Sequence, residues 1–380
     1  MMSVVVSEGM GARAGRRRRT FTGVLMLMLL ALPAQGASVQ RARWLMGTLW
    51  SATAPCTTAD SVACGTTLGA ALDEVAVLES LLSNWSASSA LSRLNAAGAG
   101  DALPEPLCAV IDSALALAAL TAGAFDPTVE PLTRIWDMRG KGRVPTERER
   151  LAALAHTGWP HIAIDHGPRS VRLNGTQLDL GGIAKGFALD RAAAVLASRG
   201  LRDATLDAGG QRLVLGSGTM VWVAMPAHRD VPAASMVLAD ASLSTSAQSE
   251  RFVSAGGRRY GHVLDPRTGR SVSSGASVSV RAASATRADA LSTALLVLGR
   301  SRAQAFAAAH SEIGVLWLEP AHGRVLAQAW NLSIAETAPG VALAGRANDM
   351  PAPILTAAAS ASPATAARAV PGRDTVPNHP

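Results

Sequence analysis

Two residues set four apart in "ADALSTAL" (288–295), Asp289 and Thr293, fall on one helix face and offer a carboxylate and a hydroxyl together. Hard oxygen donors in that arrangement suit Mg²⁺, which keeps some of its waters and takes few protein ligands. A second candidate is "LDLGGIAKGFALDRAAAVL" (178–196), where Gly181 and Gly182 lead into a helix and Lys185 stands at its start. Lysine is scarce: of 35 Lys and Arg, only Lys141 and Lys185 are lysine. Two glycines permit backbone conformations closed to other residues. The helix start presents free N–H groups to a phosphate, and the lysine adds a compact, mobile charge there. The G-x-x-x-x-G-K-[ST] spacing of a nucleotide loop is absent. A third candidate is "YGHVLDPRTGR", with the chain's single tyrosine, Tyr260, two residues before His262 and a turn sequence from Asp265 to Gly269. A strand-end histidine there is a general acid or base, or a partner of the turn. His161 and His166, five apart on an expected strand, would face opposite sides and make no metal pair.

Each candidate has a plain structural alternative. Asp289 could favour the helix's first turn for its dipole alone, Thr293 could merely pack, and Lys185 could be solvated. The elements meant to carry them are nonetheless legible. "RARWLMGTLWSATA" reads as a strand broken at Gly47, and Leu68, Leu72, Val75, Leu78 and Leu82 place an amphipathic helix over 66–82. Further helices are expected over about 104–122, 146–157, from Gly182 to Gly200, over 286–298 and over 302–310, and "AFDPTVEPL" reads as a loop with two prolines. Strands are expected at "HIAID", "SVRLN", "QLDL", "DATLDAGGQRLVLGS" (a pair broken at Gly209-Gly210), "MVWVAMP", "GHVLDP", "SVSVRAA", "GVLWLE" and "RVLAQAW". Helices and strands are partly segregated, so the fold class is α+β.

The 380 residues, 48% hydrophobic, are ample for a full core. No internal apolar stretch reaches the roughly 18 residues of a membrane span. "RRRRTFTGVLMLMLLALPAQGA" has a basic region at Arg16–Arg19, an apolar run from Val24 to Leu32 and small residues at 34–37, the pattern of an export signal over 1–37. Arg18-Arg19-Thr20-Phe21 matches the twin-arginine pattern, and no cysteine follows the apolar run to take a lipid anchor. Removing 1–37 lowers the net charge from +7 to +3, so little basic charge remains to hold nucleic acid. Cys56 and Cys64 flank a polar loop that they could close in an oxidising compartment. Cys108 sits in an apolar helical pattern. Residues 349–380 are rich in Ala, Pro and Ser and read as a disordered tail behind a domain over 38–348.

Taken in order, eight motifs resemble the ApbE-type FAD:protein FMN transferases. They are "MGT" (46–48), "LSNWSASSALSRLN" (82–95), "GAFDPTVEPL" (123–132), "DLGGIAKGFALD" (179–190), "GGQ" (209–211), "STS" (244–246), "HVLDPRTG" (262–269) and "ADALSTAL" (288–295). The resemblance implies a T-fold-related mixed sheet with packed helices in two subdomains. It implies Mg²⁺ held by Asp289, Thr293 and the carbonyl of Gly182, and FAD against Met46, Trp85, Ala124, Phe125, Asp126, Asp179 and Lys185. Ser292 and His262 would fall near the flavin phosphates or the reacting centre, with His262 or Asp289 as base. The implied reaction joins FMN from FAD to a threonine of an acceptor protein and releases AMP. The expected partner is an FMN-binding domain or subunit of a membrane redox complex, met in the periplasm. Rival readings are an FAD pyrophosphatase yielding FMN and AMP, and a periplasmic FAD-binding protein without chemistry. The chain departs from the family's usual pattern at Trp85 (usually Tyr), at Asp207 and Gln211 (usually N-x-G-G-D), at Ala247 (usually Gly), at Ser249 (usually aromatic) and at Ser88 (usually acidic).

Overall fold

The structure, a computed structural model, describes residues 38–248 and 252–344; the expected export signal, the tail and Ser249 lie outside them. The described residues open on a hairpin of β1 (Ser38–Leu45) and β2 (Thr48–Pro55), paired from Ser38↔Pro55 to Leu45↔Thr48. Its two turn residues, Met46 and Gly47, have φ of 48° and 73°, as a tight two-residue hairpin turn demands. Met46 N–H also donates to Glu79 Oε1 at 2.7 Å. Helix α1 (Ser61–Leu82) begins five residues before its apolar spacing implied, and the Cys56–Cys64 disulfide ties its first turn to the end of β2.

Helix α2 (Ala90–Ala97) has no counterpart in the sequence reading, because three buried apolar residues over two turns make too short a pattern. What starts it is local: Ser89 Oγ accepts the Ser92 N–H at 2.9 Å. Next come β3 (Ala99–Gly100) and α3 (Glu105–Leu120). The expected proline loop contains a short helix, α4 (Glu130–Ile135), with Pro131 in its first turn, where a missing N–H costs nothing. Helix α5 (Glu147–Leu154) carries a full capping box between Thr146 and Glu149.

After a 3-10 turn at Trp159–His161 come β4 (Ala163–Asp165) and β5 (Ser170–Arg172). His161 lies in that turn and His166 beyond β4, so the two do not share a strand. The expected strand "QLDL" joins no sheet. Side chains satisfy it instead: Asn95 accepts the Leu178 N–H at 2.7 Å and donates to its carbonyl at 2.8 Å.

Helix α6 (Ala184–Ser198) leads into β6 (Ala204–Ala208), β7 (Gln211–Leu215), β8 (Thr219–Met225), β9 (His228–Leu238) and β10 (Ala241–Ala247). The short strands β11 (Phe252–Ala255), β12 (Arg258–Gly261), β13 (Leu264–Asp265) and β14 (Arg270–Ser271) form two small hairpins. Then follow β15 (Ser277–Ala282), α7 (Ala285–Leu298), α8 (Arg300–Ala309), β16 (Gly314–Ala321), β17 (Arg324–Trp330), β18 (Glu336–Thr337) and β19 (Val341–Leu343).

One mixed sheet of nine strands, in the order β1-β2-β6-β7-β10-β15-β16-β17-β19, forms the centre of the α+β fold. Its strands alternate between two cores. Leu213, Val315 and Trp317 join the core shared with the helices, while Val214, Leu316 and Leu318 join the core under a three-stranded sheet, β18-β9-β8. Period-two alternation puts these cores on opposite faces. A smaller cluster of Leu132, Trp136, Ala153 and Leu264 fastens α4 and α5 to the β13–β14 hairpin, where Trp136 Nε1 donates to the Gly269 carbonyl at 3.0 Å.

Candidate functional site

The site begins with how α7 is started. Asp190, at the far end of the glycine–lysine motif, accepts hydrogen bonds from Ala285 N–H (2.8 Å), Thr286 N–H (2.9 Å), Thr286 Oγ1 (2.6 Å) and Ser284 Oγ (2.8 Å). A carboxylate on the free N–H groups of a helix start is favourable on both hydrogen-bond and dipole grounds. It also fixes α7 against α6, so the glycine–lysine motif and the Asp289–Thr293 motif of the sequence reading are held together. Asp289 then sits one turn into α7, 4% exposed. Its Oδ2 accepts the Gly186 N–H at 2.9 Å and its Oδ1 faces Ser244 Oγ at 3.4 Å.

Thr293, the next turn on, places Oγ1 3.2 Å from Ser246 Oγ. Gly182 lies against Thr293: a Cβ there would stand 3.5 Å from Thr293 Oγ1 and 3.3 Å from the Phe125 ring, and Asp289 lines the same cleft. That closeness, not a left-handed backbone, is why glycine stands here, since neither Gly181 nor Gly182 is among the residues with positive φ. Asp289, Thr293 and Gly182 therefore converge.

They form part of a cleft of about 680 Å³, which Met46, Trp85, Ala124, Phe125, Asp126, Asp179, Lys185 and His262 also line. Ser292 does not line it. Fully buried, its hydroxyl lies 2.8 Å from Ser246 Oγ and donates to the Asp289 carbonyl at 2.9 Å, so it supports the wall from behind rather than meeting a phosphate. Lys185 is half-buried and, among the described residues, in no ion pair. His262 stands on the segment between two hairpins. Buried Gln248 fixes that segment, accepting the Val263 N–H at 3.0 Å and donating to the carbonyls of Val263 (2.9 Å) and Val272 (2.7 Å).

Two acids of the site spend their oxygens on the protein itself. Asp126 accepts from Thr128 N–H and Oγ1 (2.8 and 2.6 Å) and from Trp159 N–H (2.9 Å). Burial raises its carboxyl above the ordinary range, against the lowering effect of those hydrogen bonds. Asp179 accepts the Gly181 N–H at 2.8 Å and Arg139 Nη2 at 2.6 Å. Arg139, absent from the sequence reading, also grips Glu130 through both guanidinium nitrogens (2.8 and 2.5 Å) and lies 5.9 Å from the centre of the Trp85 ring. Burial opposes its charge, but the carboxylates of Glu130 and Asp179 outweigh that and hold its pKa above the ordinary value. Trp85 itself is 65% exposed at the cleft mouth, an aromatic face with a cation near it.

Sequence reasoning set Gln211 around the site only as a departure from the family's pattern and gave Ser244 and Ser246 no role of their own; all three line the cleft. Gln211 Nε2 donates to the Ala285 carbonyl at 3.2 Å, and its buried Oε1 has no partner among the described residues. "STS" was visible as a motif, but only the β10–α7 packing shows that alternate hydroxyls of the strand face Asp289 and Thr293. Arg139 lies in "DMRGKG", which carries no motif at all.

The oxygen set fits a hard divalent cation. Among the described residues no three His, Cys, Asp or Glu side chains cluster as metal ligands, so the donors would be one carboxylate, one hydroxyl and a backbone carbonyl. That combination suits Mg²⁺ and not zinc, which prefers nitrogen and sulfur. The buried carboxylate of Asp289 has no basic partner among the described residues, and Gln211, whose buried Oε1 has no hydrogen-bond partner among them, is another residue of the same cleft. An α+β scaffold that sets such an oxygen cluster beside an unpaired lysine at a helix start defines an enzyme built for phosphate-bearing substrates.

Comparison with known proteins makes the class specific. The ApbE family model matches residues 46–317. The FAD:protein FMN transferase of Vibrio cholerae is 31% identical over 272 residues, covering 68% of this chain and 80% of that one. That of Treponema pallidum is 32% identical over 280 residues, covering 66% and 77%. Among solved structures, the ApbE protein of Thermotoga maritima superposes with a TM-score of 0.68 at 29% identity, over 80% of this chain and 97% of that one. The apo flavinyl transferase ApbE of Pseudomonas stutzeri gives 0.69 at 26% identity, over 78% and 98%. The chain belongs to the ApbE family and is a flavin transferase.

Proposed function

We propose that this protein is exported to the periplasm and there transfers FMN from FAD to a threonine hydroxyl of an acceptor flavoprotein, with Mg²⁺ and with release of AMP. The observation that carries the reading is that Asp289, Thr293 and Gly182 line one cleft with Trp85, Phe125 and Lys185, a lysine in no ion pair among the described residues. The Cys56–Cys64 disulfide supports an oxidising compartment. The membrane redox complex expected as acceptor shares that compartment.

Asp289, Thr293 and the Gly182 carbonyl would hold the cation, which when bound neutralises and positions the pyrophosphate oxygens. Trp85 and Phe125 offer apolar faces to the flavin ring. Lys185, at the start of α6, meets the pyrophosphate charge. A small ammonium on a flexible stem can follow that charge as it moves, where the planar fork of arginine is suited to a fixed bidentate partner. His262 takes the proton as the threonine oxygen attacks the FMN phosphorus. The bond from that phosphorus to the bridging oxygen breaks, and AMP leaves with the oxygen. The Ser244, Ser246 and Ser292 hydroxyls keep Asp289 and Thr293 in place while this happens.

The test uses residues 38–380 with FAD and Mg²⁺, with and without an FMN-binding acceptor domain from a membrane redox complex. AMP and FMN are separated by chromatography, and the acceptor is read for flavin fluorescence on a denaturing gel. Acceptor-dependent AMP with a fluorescent acceptor band, both lost in Asp289→Ala, supports the transferase. Free FMN without a labelled band supports the pyrophosphatase instead. Tight FAD binding without AMP leaves a binding protein.

A further inference from the structure

A flavin transferase must admit a segment of another protein to its cleft, and one strand is open to such a segment. Among the described residues β8 pairs with β9 alone, so its other edge carries backbone groups that none of them pairs. Its sequence, "TMVWVAM", holds no charge and no proline. Natural edge strands are ordinarily protected by just those residues, and an apolar edge without them is a template for a further strand. The strand alternates cleanly. Val221 and Val223 are buried in the core beneath, while Met220 and Trp222 are 46% and 44% exposed on the outer face. Val237, directly opposite Met220 on β9, is 59% exposed and widens the apolar strip.

The strip has a direction. Trp222, Ala224 and Met225 line the cleft, and the β8–β9 register breaks at Val223/Ala224 and Ala224/Met225, next to it. Met220 to Met225 spans about 17 Å at ordinary strand rise. A strand laid along this edge therefore runs into the cleft at the point where pairing with β9 becomes irregular.

We infer, on the flavin-transfer reading above, that β8 is the docking edge for the acceptor: an extended segment adds to it as a strand and delivers its threonine over Ala224–Met225. Main-chain hydrogen bonds along the edge give affinity, and apolar side chains at alternate positions of the segment meet Met220 and Trp222. The acceptor is favoured over a second copy of this chain because the strip ends in the cleft, where only a substrate has reason to arrive.

The test keeps the cleft intact. The double variant Met220→Asp, Val237→Asp changes two exposed side chains outside it. The expected result is a rise of about tenfold or more in KM for the acceptor domain, a loss of about 1.4 kcal/mol per tenfold. FAD affinity and melting temperature stay at their wild-type values. In parallel, amide hydrogen exchange at Met220 and Val221 slows when the acceptor domain is added and not when FAD is added alone. Unchanged KM in the double variant, or unprotected amides in the presence of acceptor, overturns the inference. So does a wild-type dimer that the double variant dissociates without change in KM, since the edge is then a subunit interface. Wild-type protein that labels no acceptor while β8 is protected overturns the transfer reading and leaves the docking edge standing. No labelling and no protection overturns both.

Discussion

Two glycine-to-alanine substitutions in helices of this protein should change stability in opposite directions. Alanine is favoured over glycine in a helix interior by about 1 kcal/mol, because it restricts the unfolded chain more. In α1, a Cβ added at Gly69 meets nothing within 4 Å. Gly69→Ala should therefore stabilise the protein by up to about 1 kcal/mol. In α6, a Cβ added at Gly186 would stand 2.2 Å from the Ala285 carbonyl oxygen and 2.8 Å from Asp289 Cβ. Neither neighbour can swing away: one is backbone at the start of α7, and the other is the root of a buried side chain.

The helices must then separate, at an overpacking cost of about 1–3 kcal/mol. Separation also breaks the 2.9 Å bond from Gly186 N–H to the Asp289 carboxylate, and a hydrogen bond to a charged group contributes about 1.5–3 kcal/mol. Set against the propensity gain of about 1 kcal/mol, the net loss is about 1.5–5 kcal/mol. Urea unfolding of the two variants beside wild type measures both signs at once. Flavin transfer should fall at least tenfold in Gly186→Ala under conditions where it is still folded, because Asp289 is displaced. A neutral or stabilised Gly186→Ala with full transfer would refute the claim that this contact sets the position of Asp289.

Three other expectations follow from particular contacts. Lys185→Ala should weaken FAD binding about 10–100-fold, the value of one charge-assisted bond, with Lys185→Arg restoring only part of it; flavin fluorescence titration reads both, and unchanged affinity would make Lys185 a solvated residue. Reducing the Cys56–Cys64 disulfide, whose partners are 8 residues apart, should lower stability by about 2–3 kcal/mol on the loop-entropy account, seen as a shift in the denaturation midpoint with and without reductant. The buried carboxyl of Asp126 keeps its proton to higher pH in the folded protein than in the unfolded chain, so its contribution is full below pH 3.8 and falls as pH rises through the raised value. Asp126→Asn should flatten that part of the stability–pH profile. It should also cost about 1–3 kcal/mol in depth, because a side-chain amide cannot accept all three hydrogen bonds that the carboxylate accepts from Thr128 and Trp159.

Much of the chemistry was legible in one dimension because it is carried by short-range spacing. The i, i+4 step from Asp289 to Thr293 puts two oxygens on one face of any helix, whatever surrounds it. The glycine–lysine turn and the H-x-x-D-P-R-T-G run are local in the same sense, and so are the long helices α1, α3, α6 and α7, whose apolar period repeats over several turns; the stretch read as a strand broken at Gly47 is in the structure the hairpin of β1 and β2. The short loop between Cys56 and Cys64 made their pairing open to them, and the structure shows the bond. The α+β class followed from the partial segregation of helices and strands.

Where local signals were weak, tertiary contacts decided. Helices α2 and α4 are too short for a period to show, and are held by a serine cap and by packing on Trp136 and Leu264. "QLDL" alternates like a strand, yet Asn95 meets the backbone groups of Leu178 and no neighbouring strand comes. Ser292 sits beside Asp289 and Thr293 in sequence, but a residue one step along a helix points about 100° away, and this one faces Ser246 behind the wall rather than the cleft. Arg139, Gln211 and the serines of β10 reach the cleft from segments 40 to more than 100 residues away from Asp289, and no spacing rule joins residues that only folding brings together. The sequence by itself determined which atoms could do the chemistry, since identity and short-range geometry are written in the chain. Only the tertiary structure decided which of those atoms share a cleft, which acids are spent on holding it open, and which strand edge leads into it, because those depend on contacts between distant segments.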